Sequence, residues 1–136
     1  MRYLYILLLG VLLVGCKETD SSSLTAKELM QIKTEIISRG SKSSYARLDN
    51  YYKNTSNYFE ILPYSLMMIN KYNDKYSYIR ILEVMIKMNN NSKYELSNIK
   101  SLSKGDQYFI TYYLLKGAGQ EDPESIKILT ELNRQG

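Results

Sequence analysis

From Ser23 onward the apolar residues recur at intervals of three and four, in short runs that begin and end at capping residues. Such spacing lays them along one stripe of an α-helix, and the alternation of a half-buried strand never lasts more than a few positions. Thr25-Ala26-Lys27-Glu28 has the form of a capping box; Leu29, Ile32 and Ile36 follow it, with Gly40 as a natural stop. A second helix is predicted from about Lys42 to Lys53, with Tyr45, Leu48 and Tyr52 on one face, and Asn54-Thr55-Ser56-Asn57 breaks it. Pro63 belongs in a first helical turn. It places the third helix from about Leu62 to Tyr72 and leaves Tyr58 to Ile61 as a turn or a separate short helix. Asn73-Asp74 opens the most apolar helix, Lys75 to Met88. Its Tyr78, Ile81, Leu82, Val84, Met85, Ile86 and Met88 cover enough of the circumference to put it at the centre of a fold. Ser92-Lys93-Tyr94-Glu95 reads as another capping box, ahead of a weaker helix with Leu96, Ile99 and Leu102. Ser103-Lys104-Gly105-Asp106 starts the helix that carries Tyr108 to Leu115, and Asp122-Pro123-Glu124 starts the last, with Ile126, Leu129 and Leu132. The predicted class is all-α: about seven short helices, joined by turns short enough to make consecutive ones antiparallel hairpins.

The N-terminus obeys a different rule. Arg2 is followed by an apolar run from Leu4 to Val14, small Gly15, the only cysteine, Cys16, and then polar Lys17-Glu18-Thr19-Asp20. The order of basic, apolar and small residues is that of a secretory signal. The run is roughly half the 20 or so residues needed to span a bilayer. Leu13-Val14-Gly15-Cys16 resembles the lipobox of bacterial lipoproteins. The resemblance implies cleavage between Gly15 and Cys16, lipidation of the Cys16 thiol and acylation of the new amino terminus. Two or more acyl chains hold a protein stably at a bilayer. The expected organisation is a cleaved signal over residues 1–15, a lipidated cysteine and flexible tether over 16–22, and one helical domain over 23–136. The protein is then exported and anchored to the bacterial cell membrane. The same resemblance implies outer-membrane sorting in a Gram-negative host, because Lys17 rather than Asp follows the anchor.

Composition removes several classes of function. Loss of residues 1–15 takes away Arg2 and no acid, so the net charge of +4 falls by one. That small, scattered charge gives no reason to expect nucleic-acid binding, which needs a clustered basic face. The chain has no histidine, which excludes Ser-His-Asp and Cys-His catalysis and histidine-bearing zinc sites. With one cysteine, whose thiol the lipobox resemblance assigns to lipid, no disulfide is expected. No phosphate-binding glycine loop is present, so no cofactor is expected. Glu60, Asp74, Glu83 and Glu95 remain as candidate acids for carboxylate chemistry, each with an ordinary capping or surface role available. Tyrosine is over-represented: 14 residues against two Phe and no Trp. Tyrosine packs a helix while its hydroxyl reaches water, and it is also enriched at interfaces. Packing is the preferred reading for most of them, with Tyr108 and Tyr112 as candidate interface residues.

The segment from Asp106 to Gly136 resembles a Sel1-like repeat, a relative of the tetratricopeptide class. Ile110 and Leu114 stand at the large apolar positions of its first helix. Gly117 and Gly119 match the paired turn glycines, Asp122 the acid before the second helix and Gly136 the closing glycine. Asp106 and Ser125 stand where that family usually has alanine, and Thr111 where it has glycine. The layout of Pro63 to Met88 is similar but has Lys71-Tyr72-Asn73-Asp74 in place of the glycine turn. The resemblance implies a short α-solenoid fragment; a small helical bundle is the alternative. It also implies that Gly117 or Gly119 holds a positive φ. Helical repeats present a curved protein-binding surface. The expected function is a membrane-tethered, non-catalytic interaction module of the bacterial envelope whose partners are the membrane, through its lipid, and an unidentified envelope protein. The alternatives are an immunity or inhibitor lipoprotein directed at a toxin or cell-wall hydrolase, and a carboxylate-dependent envelope enzyme.

Overall fold

The computed structural model describes residues 23–53, 55–91 and 93–134. The lipobox residues Leu13, Val14, Gly15 and Cys16, together with Ser92 and Gly136, lie outside them. The described chain is all-α. Its helices are α1 (Ala26–Arg39), α2 (Lys42–Lys53), α3 (Leu62–Tyr72), α4 (Tyr76–Asn89), α5 (Lys104–Ala118) and α6 (Pro123–Arg134). Short 3-10 turns at Tyr58–Ile61 and Leu96–Ser101 precede α3 and α5. The second of these replaces the α-helix expected after Ser92. Leu96 and Ile99 are spaced by three, so the 3-10 winding stacks them on one edge, and Ile99 is buried in the core together with Leu102, which follows in extended backbone.

Three hairpins, α1–α2, α3–α4 and α5–α6, account for the closest helix pairs. Their turns share a design. Each places a residue in the left-handed region, Gly40 (φ 63), Asn73 (φ 56) or Glu121 (φ 60), immediately before the cap. The cap side chains of Ser41, Asp74 and Asp122 accept the backbone N–H three residues on, from Ser44 (3.3 Å), Ser77 (3.1 Å) and Ser125 (2.8 Å). All three of those serines are buried. The first two turns are alike in their backbone bonds as well. Gly40 and Asn73 donate to Ile36 and Ile69, while Ser41 and Asp74 donate to Glu35 and Met68, a nested pair of bonds one residue wider than a Schellman motif.

The third turn corrects the expectation for the paired glycines. Gly119 is right-handed at φ −64, and Gly117 lies inside α5. The left-handed residue is Glu121, because a further tight turn through Gly119 and Gln120 follows α5 before the chain reverses. Gly117 serves packing instead. A Cβ there would overlap Ser125 Oγ and lie 3.0 Å from Ser125 Cβ and 3.1 Å from Tyr78 Cγ. Ser125 is fully buried in that contact. Helices α5 and α6 therefore cross closely, although serine replaces the alanine of the resembled repeat.

Helix α4 is central, as its apolar circumference demands. It gives Val84 to a cluster with Ile32, Ile36, Leu48 and Met68, and Leu82 and Ile86 to one with Ile110, Leu114 and Ile128. Its Tyr78 and Ile81 complete a third with Ile69. The odd-numbered helices form one layer: α1 packs on α3, and Phe109 and Tyr113 of α5 meet the cluster that Leu62 and Leu66 of α3 also join. The even-numbered helices form the other layer.

Candidate functional site

Each helix of the first layer has one face turned away from both its layer neighbours and the second layer. In α5, Phe109, Tyr113 and Lys116 face α3, while Ile110, Leu114 and Gly117 face α4 and α6. The remaining stripe is Tyr108, Tyr112 and Leu115, spaced by four and three. Tyr108 is 76% exposed, Leu115 58% and Tyr112 50%. In α1 the corresponding outward residues are Met30 and Ile37, at 71% and 47% exposure. Between α1 and α3 lies a cleft of about 490 Å³. Ile37, Phe59, Pro63 and Met67 make its apolar surface, and Lys33, Glu60 and Tyr64 its polar edge. The helices of the first layer thus carry half of the large apolar side chains that the described residues leave in water, three of them on the one stripe of α5. Clustered exposed apolar side chains on a small protein mark a binding surface.

The polar edge is fixed by the fold. Tyr52 donates its hydroxyl to Glu60 Oε2 at 2.7 Å. The Lys33 ammonium lies over the rings of Tyr52 and Tyr64, 5.6 and 5.8 Å from their centroids. Hydrogen bonding with Tyr52 raises the Lys33 pKa above the usual lysine value. The ammonium therefore stays charged at neutral pH.

The second layer holds a polar cluster that sequence reasoning missed. Arg80 is 1% exposed, and its Nε donates to Asp49 Oδ1. Its Nη1 donates to Glu83 Oε2 at 2.7 Å. Asp49 also pairs with Lys53 at 2.9 Å and accepts the Tyr76 hydroxyl at 3.0 Å. Burial alone would lower the Lys53 pKa, but its hydrogen bonds with Tyr76 and Asp49 outweigh that, and the net shift is upward. Nearby, Tyr45 and Ser65 share a 2.7 Å hydroxyl contact, and burial pushes the Tyr45 pKa well above its usual value. The signal for this cluster was an acid, Asp49, sitting beside Leu48 and Tyr52 on an apolar stripe. Its partner Arg80 lies in another helix, which no local pattern reveals. The arrangement ties α2 to α4 through charges with few open approaches.

The candidate acids are dispersed into ordinary roles. Glu60 receives Tyr52. Asp74 caps the start of α4 through Ser77 and pairs with Lys42. Glu83 is held by Arg80, and Glu95 accepts Asn98 Nδ2 at 3.2 Å. Asp122 does for α6 what Asp74 does for α4. No group of three or more metal-ligating side chains occurs among the described residues. Of the tyrosines, Tyr45, Tyr52 and Tyr78 are core residues, whereas Tyr108 and Tyr112 stand in solvent.

Comparison with protein-family models, with curated proteins and with solved structures gave no match.

Proposed function

We propose that this chain is a membrane-tethered, non-catalytic interaction module of the bacterial envelope, and that it holds a protein partner on the outer face of α1, α3 and α5. The observation that carries the reading is the exposed stripe of Tyr108, Tyr112 and Leu115 along α5, on the same layer as Met30, Ile37 and an apolar cleft. Two-χ aromatic side chains supply large contact area at low entropic cost, and a few such anchors dominate binding energy. The tether part of the proposal rests on Leu13-Val14-Gly15-Cys16 and the polar residues after it.

Two experiments test the two halves. Tyr108→Ser with Tyr112→Ser is expected to weaken capture of an envelope partner by at least about tenfold, since a lost aromatic anchor typically costs 1–2 kcal/mol or more. The melting temperature should stay within a degree or two of the parent, because both side chains are solvent-exposed. Unchanged capture, or capture lost only in step with melting, would remove the interface. Cys16→Ala is expected to abolish labelling by a fatty-acid probe, as the chain has no other thiol. Equal labelling of parent and variant would defeat the anchor.

A further inference from the structure

The described cations divide by the kind of partner they have. Arg39 of α1 and Lys42, Lys53, Arg80 and Lys127 of the second layer each pair with a carboxylate. In the first layer Lys33, Lys71 and Lys116 lie within salt-bridge range of no acid among the described residues, and each sits over a tyrosine ring instead. Lys33 lies over Tyr52 and Tyr64, Lys71 over Tyr72 at 5.0 Å and Lys116 over Tyr113 at 6.0 Å. Neutral hydrogen bonds hold them along the seams of the layer. Lys71 Nζ donates to the Ile37 carbonyl at 3.2 Å, and Lys116 Nζ to Asn70 Oδ1 at 2.7 Å. Helix α3 itself contains no Asp or Glu.

We infer that this face takes an acidic segment of a protein partner, with aliphatic or aromatic side chains entering the α1–α3 cleft and carboxylates meeting Lys33, Lys71 and Lys116. The inference rests on the proposed interaction face and adds the chemistry of what it binds. Two features support it. A ring beneath the ammonium and a single neutral acceptor fix the charges of Lys71 and Lys116 without neutralising them, so their remaining N–H donors are free for a carboxylate, whereas Lys33 shares the cleft with Glu60 and is partly balanced by it. The cleft is a recess flanked by two of these lysines, with Lys33 at its edge and Lys71 beside Ile37. A projecting side chain fills such a recess, whereas a bilayer surface bridges over it. Complementary charge of this kind steers encounter and selects the partner, and salt screens it.

The test is a random dodecapeptide library displayed on phage and panned against the full chain in detergent. The expected result is enrichment of sequences rich in Asp and Glu around Leu, Phe or Tyr. Binding of the selected peptides should fall with added NaCl and drop about tenfold or more in Lys33→Gln, Lys71→Gln, Lys116→Gln, with the melting temperature held. Neutral or basic enrichment, or full binding by the triple variant, would overturn the charge inference. If binding were still lost in Tyr108→Ser with Tyr112→Ser, the interaction face itself would survive that result. Shielding of the three lysines from an amine-acylating reagent by phosphatidylglycerol vesicles, with no acidic peptide enriched, would assign the face to lipid and overturn the inference.

Discussion

Asp49→Ala is expected to destabilise the protein by about 3–5 kcal/mol, the usual result of removing one partner from a buried ion pair. The substitution leaves Arg80 at 1% exposure with Glu83 as its only carboxylate, and Glu83 is far less buried. It also strips Lys53 and Tyr76 of their shared acceptor. Arg80 is already imperfectly served, because its Nη2 is buried without a hydrogen-bond partner. The pair is thus a strong constraint on how α2 sits against α4 and a weak source of net stability. Replacing both members with apolar residues of similar volume, as in Asp49→Leu with Arg80→Met, should recover much of the loss. Urea unfolding of the single and double variants measures both effects. An Asp49→Ala variant within about 1 kcal/mol of the parent would mean that the pair is hydrated and not part of the core.

The second large effect separates two neighbouring glycines that look equivalent in the sequence. Gly117→Val is expected to cost about 3 kcal/mol or more, at or above the upper end for overpacking. Its Cβ would be driven into Ser125 and the Tyr78 ring, neither of which has room to retreat. Gly119→Ala is expected to be neutral or to stabilise by about 0.4–1 kcal/mol. Its backbone is right-handed, and an added Cβ comes no nearer than 3.4 Å to the Leu115 carbonyl oxygen. Thermal melting of the two variants checks the contrast. Equal losses would mean that Gly119 also needs a conformation closed to other residues.

Much of the fold can be read directly from the chain. The capping box at Thr25 forms with both of its hydrogen bonds, Gly40 ends α1, Pro63 sits in the first turn of α3, and Asp122 caps α6. Start and stop signals are local chemistry, so a sequence displays them. What it hides is of two kinds. One is the choice between helical forms where the apolar spacing suits both. Leu96 and Ile99 stand three apart in a 3-10 turn, while Ile126, Leu129 and Leu132 with the same interval stand in an α-helix. The other is any arrangement that depends on which helices meet. Glycine at position 117 signals either a special backbone angle or a close approach, and only the presence of Ser125 across the hairpin decides for the second. The same holds for Asp49 and Arg80. It holds too for Lys33, Lys71 and Lys116, which look like scattered surface charges until the seams of the first layer bring them together with tyrosines.

The central claim is that the outer face of α1, α3 and α5 holds the partner. A photo-crosslinking amino acid placed at Tyr112, and in a separate strain at Ile126, tests it in the envelope with the full-length chain. Both positions are about equally exposed, but Tyr112 belongs to the proposed face and Ile126 to α6 in the other layer. The account predicts a discrete protein adduct from Tyr112 and none from Ile126. An adduct from Ile126 alone, or the same adduct from both, would contradict it.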